Sequence, residues 1–182
     1  MTQVFVLCTG RCGSTTFAAA CKQATNFTAA HESRTYRLGA DRFAYPPNHI
    51  EVDNRLAWFT GKLDARFGAA PFYVHLSRDR AQTAASFATR LNHGLMKTYR
   101  SGILPNLLLR EPQTPALAIA EDLVDTITAN ITLFLRDKPR VMQISLETIT
   151  TDFPKFWNWI GAQGDLDAAL ATFATRHNAT KP

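Results

Sequence analysis

The feature that most narrows the fold lies in the first sixteen residues. Val4-Phe5-Val6-Leu7 is a short unbroken apolar run, the pattern of a strand buried on both faces. It stops at Thr9-Gly10-Arg11-Cys12-Gly13-Ser14, and residues 15–24, rich in alanine and other small side chains, read as a helix. A buried strand feeding a helix through a glycine-containing turn predicts a phosphate-loop arrangement.

Further strands are predicted at 72–76 and 140–144, and helices at 54–67 with Gly68 as their stop, from Arg80 to about Leu91, at 116–135, and near 153–161 and 166–175. Residues 26–50 read as irregular, with Pro46-Pro47 as a firm breaker. Residues 94–115 read as a long loop with Lys97, Arg100 and Arg110, a length typical of lids and binding segments. Its apolar stretch Leu104-Pro105-Asn106-Leu107-Leu108-Leu109 either covers the core or serves an acceptor pocket or interface. Strands alternating with helices predict an α/β fold over residues 1–182 as one domain: three layers, P-loop-like, with a central mostly parallel sheet flanked by helices.

Composition removes several classes. With 46% hydrophobic and 19% charged residues the chain is neither disordered nor collagen-like. No stretch approaches the roughly 20 apolar residues of a membrane-spanning helix, and the start lacks the pattern of a secretory signal. Three cysteines without paired spacing suit a reducing compartment, so a cytoplasmic location is expected. The net charge of +5 is uneven: residues 1–110 carry 14 basic and 6 acidic side chains, residues 111–182 carry 6 and 9. Arginine outnumbers lysine 14 to 6, and its planar fork suits phosphate or sulfate oxygens. There is no Lys/Arg run, zinc-finger spacing or aromatic RNA-binding motif, so a small polyanion held by the first half is expected rather than nucleic acid.

In the first loop, Gly10 and Gly13 permit tight turns that bring N–H groups up to an oxyanion. The following helix adds unpaired N–H donors and the positive end of its dipole. Ser14, Thr15 and Thr16 offer hydroxyl donors, and Arg11 a fixed positive charge. The G-x-x-x-x-G-K-[ST] spacing of a Walker A loop fails, with no lysine before the hydroxyl run. The Cys-x5-Arg phosphatase pattern fails as well, because Ser14 stands where the arginine belongs. Taken alone, a purely structural turn is the alternative. The second constellation is Ser77-Arg78-Asp79-Arg80 at a strand end, with Ser86 eight residues beyond Arg78. Arg78 falls at the carboxyl edge of the sheet, where open α/β folds bind ligands. Ser86 lies two turns along the next helix, so both can face one phosphate only if the chain bends between them. The plain alternative is an N-capping Asp79 and an ordinary surface serine.

Together, and in this order, the two segments resemble the donor-binding motifs of sulfotransferases that use 3′-phosphoadenosine 5′-phosphosulfate (PAPS), in the arginine-bearing version of carbohydrate and bacterial members. The similarity covers most of residues 3–90 and thinly touches 141–150. It implies a donor site of Gly10, Arg11, Cys12, Gly13, Ser14, Thr15, Thr16, Arg78 and Ser86. The N–H groups of residues 12–16, with Ser14 and Thr15, would cradle the 5′-phosphate. Arg11 would neutralise charge on the bridging oxygen, and Arg78 and Ser86 would hold the 3′-phosphate and so select this donor over ATP. The resemblance further implies that Glu32, 21 residues after Arg11, is the base, with His31 assisting or replacing it. No metal is implied, since a sulfuryl group carries less charge than a phosphoryl group and arginine suffices. Ser145-Leu146-Glu147-Thr148-Ile149 is similar to a family segment after a late strand, where Glu147 would be structural. The family's C-terminal basic–glycine loop is not evident, which leaves Arg176 and Lys181, near Asn178, as substitutes. No aromatic is assigned to adenine, Thr16 and Phe17 being neither of them suited.

Among the remaining residues, His49 is an outside candidate for the base, His75 reads as a sheet-face histidine, and His93 and His177 have no visible partner. Cys8, Cys12 and His31 lack a fourth ligand for zinc. Cys12, at a helix start, is expected to have a lowered pKa. The expected function is sulfuryl transfer to a hydroxyl, with an amine second, of a small-molecule or carbohydrate acceptor that the sequence does not identify; oligomeric state is equally open. The alternatives are a small P-loop nucleotide phosphotransferase and a non-catalytic nucleotide- or polyanion-binding module.

Overall fold

The computed structural model describes residues 2–174. Five strands, β1 (Gln3–Cys8), β2 (Thr28–His31), β3 (His49–Val52), β4 (Phe72–Ser77) and β5 (Val141–Ser145), form one all-parallel sheet in the order β2-β3-β1-β4-β5. The helices are α1 (Ser14–Cys21), α2 (Thr60–Phe67), α3 (Arg80–Ala88), α4 (Gly94–Thr98), α5 (Leu107–Arg110), α6 (Ala116–Leu135), α7 (Ile149–Trp159) and α8 (Leu166–Thr172).

Because side chains alternate along a strand, β1 feeds two cores. Val4, Val6 and Cys8 join Phe17 of α1 and Phe153, Phe156 and Trp157 of α7, while Phe5 and Leu7 join Leu63 of α2, Phe87 of α3 and the Leu123–Ile127–Ile131 stripe of α6. A parallel sheet covered on both faces explains why these strands read as continuous apolar runs. Cys8 pairs with Leu76, so the adjacent strands β1 and β4 end level. The chain leaves β1 towards the first face through α1 and leaves β4 towards the second through α3. Diverging exits from neighbouring parallel strands open a crevice at their carboxyl ends.

Several expectations need correction. Residues 26–50, expected to be irregular, contain β2 and the first half of β3. Thr28-Ala29-Ala30-His31 has little intrinsic strand preference and is an edge strand held by its ladder to β3. His49-Ile50-Glu51-Val52 is buried throughout, its two polar members bonding each other along one face of the strand. The helix expected over 54–67 is a 3₁₀ turn at Asn54–Trp58 followed by α2, which ends at Gly68 with φ 55°. The loop expected at 94–115 is largely structured. Met96 and Tyr99 are buried, the Tyr99 hydroxyl donates to Asp122 Oδ2 at 2.5 Å, and Leu104, Leu107 and Leu108 pack on the second core. The apolar stretch therefore covers the core, with only Leu109 of its leucines largely exposed. Among the described residues, no helix is long and apolar enough to cross a membrane.

Candidate active site

The turn after β1 places Gly10 at φ 83°, Arg11 at 58° and Gly13 at 82°. A left-handed arginine is a costly choice that surrounding contacts must hold. A Cβ on Gly10 would stand 2.6 Å from Asn54 Nδ2 and one on Gly13 2.8 Å from Leu146 Cδ1, so a side chain at either position would strain the left-handed backbone and displace a neighbouring side chain. Gly13 caps α1 without any side-chain hydrogen bond, and its carbonyl starts the helix by accepting from Phe17 N–H at 2.9 Å. Ser14 and Thr16 are buried, and Thr15 is partly exposed. Cys12 is fully buried, so its thiol does not face a ligand. Its thiol is pulled down by a hydrogen bond from Cys8 and by the N–H groups of Gly10, Cys12 and Ser14, against burial. The same contact with Cys12, together with burial, pushes Cys8 up. Phe17 lies wholly in the first core and is not at the surface of the site.

The second constellation meets the first. Arg11 Nε donates to Ser86 Oγ at 3.0 Å, although the residues are 75 apart in sequence. Arg78 donates through Nη1 to the Arg11 carbonyl at 3.3 Å and through Nη2 to Gln82 Oε1 at 2.7 Å. The bend needed between Arg78 and Ser86 is thus bridged by the glycine turn, with Arg11 spanning to the serine. Burial lowers the proton affinity of Arg11, and the like charges of Arg90 and Arg78 lower it further. Asp79 caps α3 as its sequence position suggests, accepting from Gln82 N–H at 2.8 Å. Arg80 turns away and binds Asp125 at 2.7 Å and Glu121 at 3.1 Å on α6, so it fastens α3 rather than lining the crevice. Glu147 is structural: Asp79 N–H donates to it at 2.9 Å, and Ser145 donates its hydroxyl to the other oxygen.

On the other side, β2 delivers His31 and Glu32. Ser14 Oγ and His31 Nε2 are 3.1 Å apart, and His31 Nε2 lies 3.9 Å from Glu32 Oε1. Glu32 has φ 53° and donates its N–H to Val52 O at 3.0 Å. Its Oε2 accepts from Arg55, while Oε1 accepts no hydrogen bond among the described residues. The following Ser33 donates through N–H (2.7 Å) and Oγ (2.6 Å) to the buried Glu51, which His49 Nε2 also meets at 3.0 Å. His49 is buried in that network, with Thr28 on its other nitrogen at 2.8 Å, and so is withdrawn as a candidate base. His75 is a buried sheet-face histidine whose pKa is pushed down by burial, with Gln143 opposing that effect.

Asn54 and Leu146 stand against Gly10 and Gly13, Arg55 bonds Glu32, and the charge of Arg90 is felt at Arg11; of these four only Leu146 lies in a segment with a sequence signal. Among the described residues no three His, Cys, Asp or Glu side chains gather as a metal site. Arg176, His177, Asn178 and Lys181 lie outside the described residues. Chemically, the arrangement offers convergent N–H, hydroxyl and guanidinium donors to an anion, flanked by a carboxylate and an imidazole.

No family model matches the chain. No curated protein matches it by sequence. Among solved structures it is similar to a sulfotransferase domain from the curacin biosynthetic pathway, with a TM-score of 0.65 and 14% sequence identity over 93% of this chain and 76% of that one. At that identity the likeness shows the fold: a P-loop-like α/β sandwich around a parallel sheet.

Proposed function

We propose that the chain is a transferase that takes the sulfuryl group of PAPS to a hydroxyl of a small-molecule or carbohydrate acceptor. The observation that carries the reading is the 3.0 Å bond from Arg11 to Ser86, with Arg78 on the Arg11 carbonyl. It brings to one sheet edge two sets of anion-binding groups, one suited to each phosphate end of a bisphosphorylated adenosine. The fold shared with a sulfotransferase domain supports the same reading.

In this proposal the N–H groups of residues 12–16 and the Ser14 and Thr15 hydroxyls hold the 5′-phosphate, with Gly10 and Gly13 keeping the backbone close. Arg78 and Ser86 take the 3′-phosphate. The acceptor oxygen attacks sulfur, the bond from sulfur to the bridging phosphate oxygen breaks, and Arg11 meets the charge that builds on that oxygen. Glu32 receives the acceptor's proton, with His31 beside it. No protein metal ligand enters these steps.

The test is a thermal-shift comparison of 3′-phosphoadenosine 5′-phosphate with ATP, ADP and AMP. A ligand that binds only the native state raises the melting temperature by mass action, so the bisphosphate is expected to stabilise the protein most. Stabilisation by ATP that requires Mg²⁺ would instead favour the phosphotransferase reading. Bisphosphate binding without transfer to any member of an acceptor panel would favour the non-catalytic module. Replacing Arg78 with Ala is expected to weaken the bisphosphate about 10–100-fold while AMP changes little, as loss of a charge-assisted bond to one phosphate requires. Equal losses for the two ligands, read by calorimetry, would overturn the 3′-phosphate role.

A further inference from the structure

Arg90 stands four residues beyond Ser86, in the turn that closes α3. Its N–H donates to Phe87 O at 2.8 Å, and Thr89, just before it, is still right-handed, so the helix geometry carries Arg90 one turn past the serine that Arg11 holds. Its Nε is shut away from solvent and has no hydrogen-bond partner among the described residues. A guanidinium N–H in that state is unfavourable until something accepts from it. Neither Arg90 nor Arg78 forms an ion pair with a carboxylate among the described residues; Arg78 spends its donors on a carbonyl and an amide. Arg11 bonds Ser86, Arg78 bonds the Arg11 carbonyl, and Arg90 follows Ser86 by one helical turn, so Arg11 has a like charge on either side of it, and both are felt there. Like charges gathered in this way are stabilised by a shared anion.

We infer that Arg90 is a specificity-determining residue of the donor site, which binds the 3′-phosphate of the nucleotide together with Arg78 and Ser86. The inference rests on the donor reading above and adds a residue to it. A phosphate monoester carries a charge of about −1.5 to −2 at neutral pH. With Arg11 committed to the sulfuryl end, Arg78 supplies one positive charge at the 3′ end and Arg90 supplies the second. A nucleotide without a 3′-phosphate leaves the second charge unmatched, so Arg90 sharpens the choice of bisphosphate over monophosphate rather than strengthening nucleotide binding in general.

The test is titration calorimetry of 3′-phosphoadenosine 5′-phosphate and of AMP, at one salt concentration, on the whole chain and its variants. In the parent protein the bisphosphate is expected to bind on the order of 100-fold more tightly than AMP. Arg90→Ala is expected to weaken the bisphosphate about 10–100-fold and AMP less than about 3-fold. Arg90→Gln keeps a polar stem of similar length if the alanine variant does not fold, and is expected to show the same selective loss. Arg136→Ala, at the exposed end of α6, removes the same net charge at the opposite edge of the sheet and is expected to leave the ratio unchanged. A folded Arg90 variant that retains the parental ratio overturns the inference and leaves the donor reading intact. A parent protein that binds both nucleotides equally overturns the donor reading, and this inference with it.

Discussion

Glu32→Gln is expected to leave the affinity for 3′-phosphoadenosine 5′-phosphate unchanged and to cut sulfuryl transfer by about 10²–10⁴. The amide has the size of the carboxylate and can still accept from Arg55, which bonds Oε2 in the parent protein, so the left-handed backbone at this residue keeps its surroundings. What is lost is the ability of Oε1 to take a proton, and that oxygen is the one without a hydrogen bond among the described residues. The range corresponds to about 3–5 kcal/mol of barrier. Calorimetry with the bisphosphate and turnover of PAPS with an acceptor found by screening separate the two effects. If turnover stays near normal, the proton goes to His31, whose Nε2 lies 3.1 Å from Ser14 Oγ and 3.9 Å from Glu32; His31→Ala then abolishes it.

The second large effect concerns stability. Arg42 donates to Asp53 Oδ2 at 2.6 Å with both side chains buried. The other oxygen of Asp53 accepts from Arg55 N–H at 2.8 Å and so starts the turn that carries Asn54 to the glycine loop and Arg55 to Glu32. Removing one partner of a buried pair strands the other charge, so Arg42→Ala is expected to cost about 3–5 kcal/mol at neutral pH. For a chain of this size that lowers the melting temperature by roughly 6–20 °C. The dependence on pH follows from Asp53. Burial pushes its carboxyl above the usual value, and Arg42 is the first of the contacts that pull it back down. Without Arg42 its folded-state pKa rises further above the unfolded one. The native variant then binds a proton that the unfolded chain releases, so the penalty is full above the raised pKa and fades as pH falls through it. Denaturant titrations at pH 7 and pH 5 measure this. A gap between parent and variant that is below about 1 kcal/mol, or that widens in acid, would contradict the stranded-charge account.

Much of the frame is legible without coordinates. β1 and β4 announce themselves as apolar runs because both of their faces are covered, β5 by the shorter run Val141-Met142-Gln143-Ile144 at the sheet edge, and α6 by apolar side chains recurring at Val124, Ile127, Ile131 and Leu135. The glycine turn is legible because only residues tolerant of a left-handed backbone can make it. β2 and β3 were hidden for opposite reasons. β2 has little strand propensity of its own and is held by its ladder to β3. β3 contains a histidine and a glutamate that would mark a surface segment, had they not found each other inside. The same bond decides the fate of His49, which looks available as a base in sequence and is consumed by Glu51 and Thr28.

The sequence by itself determined the local devices: a strand that ends in a glycine turn, a helix that begins with hydroxyl donors, an arginine at a second strand end, and a carboxylate next to an imidazole. These depend on backbone sterics and on residue type within a few positions, and neighbours in the chain suffice to specify them. Only the tertiary structure decided that Arg11 reaches Ser86, that Arg80 departs to α6 and that Arg55 takes one oxygen of Glu32. Those choices depend on which elements the parallel sheet brings level at one edge, and a contact between residues 75 apart is created by packing, not by anything written next to either of them.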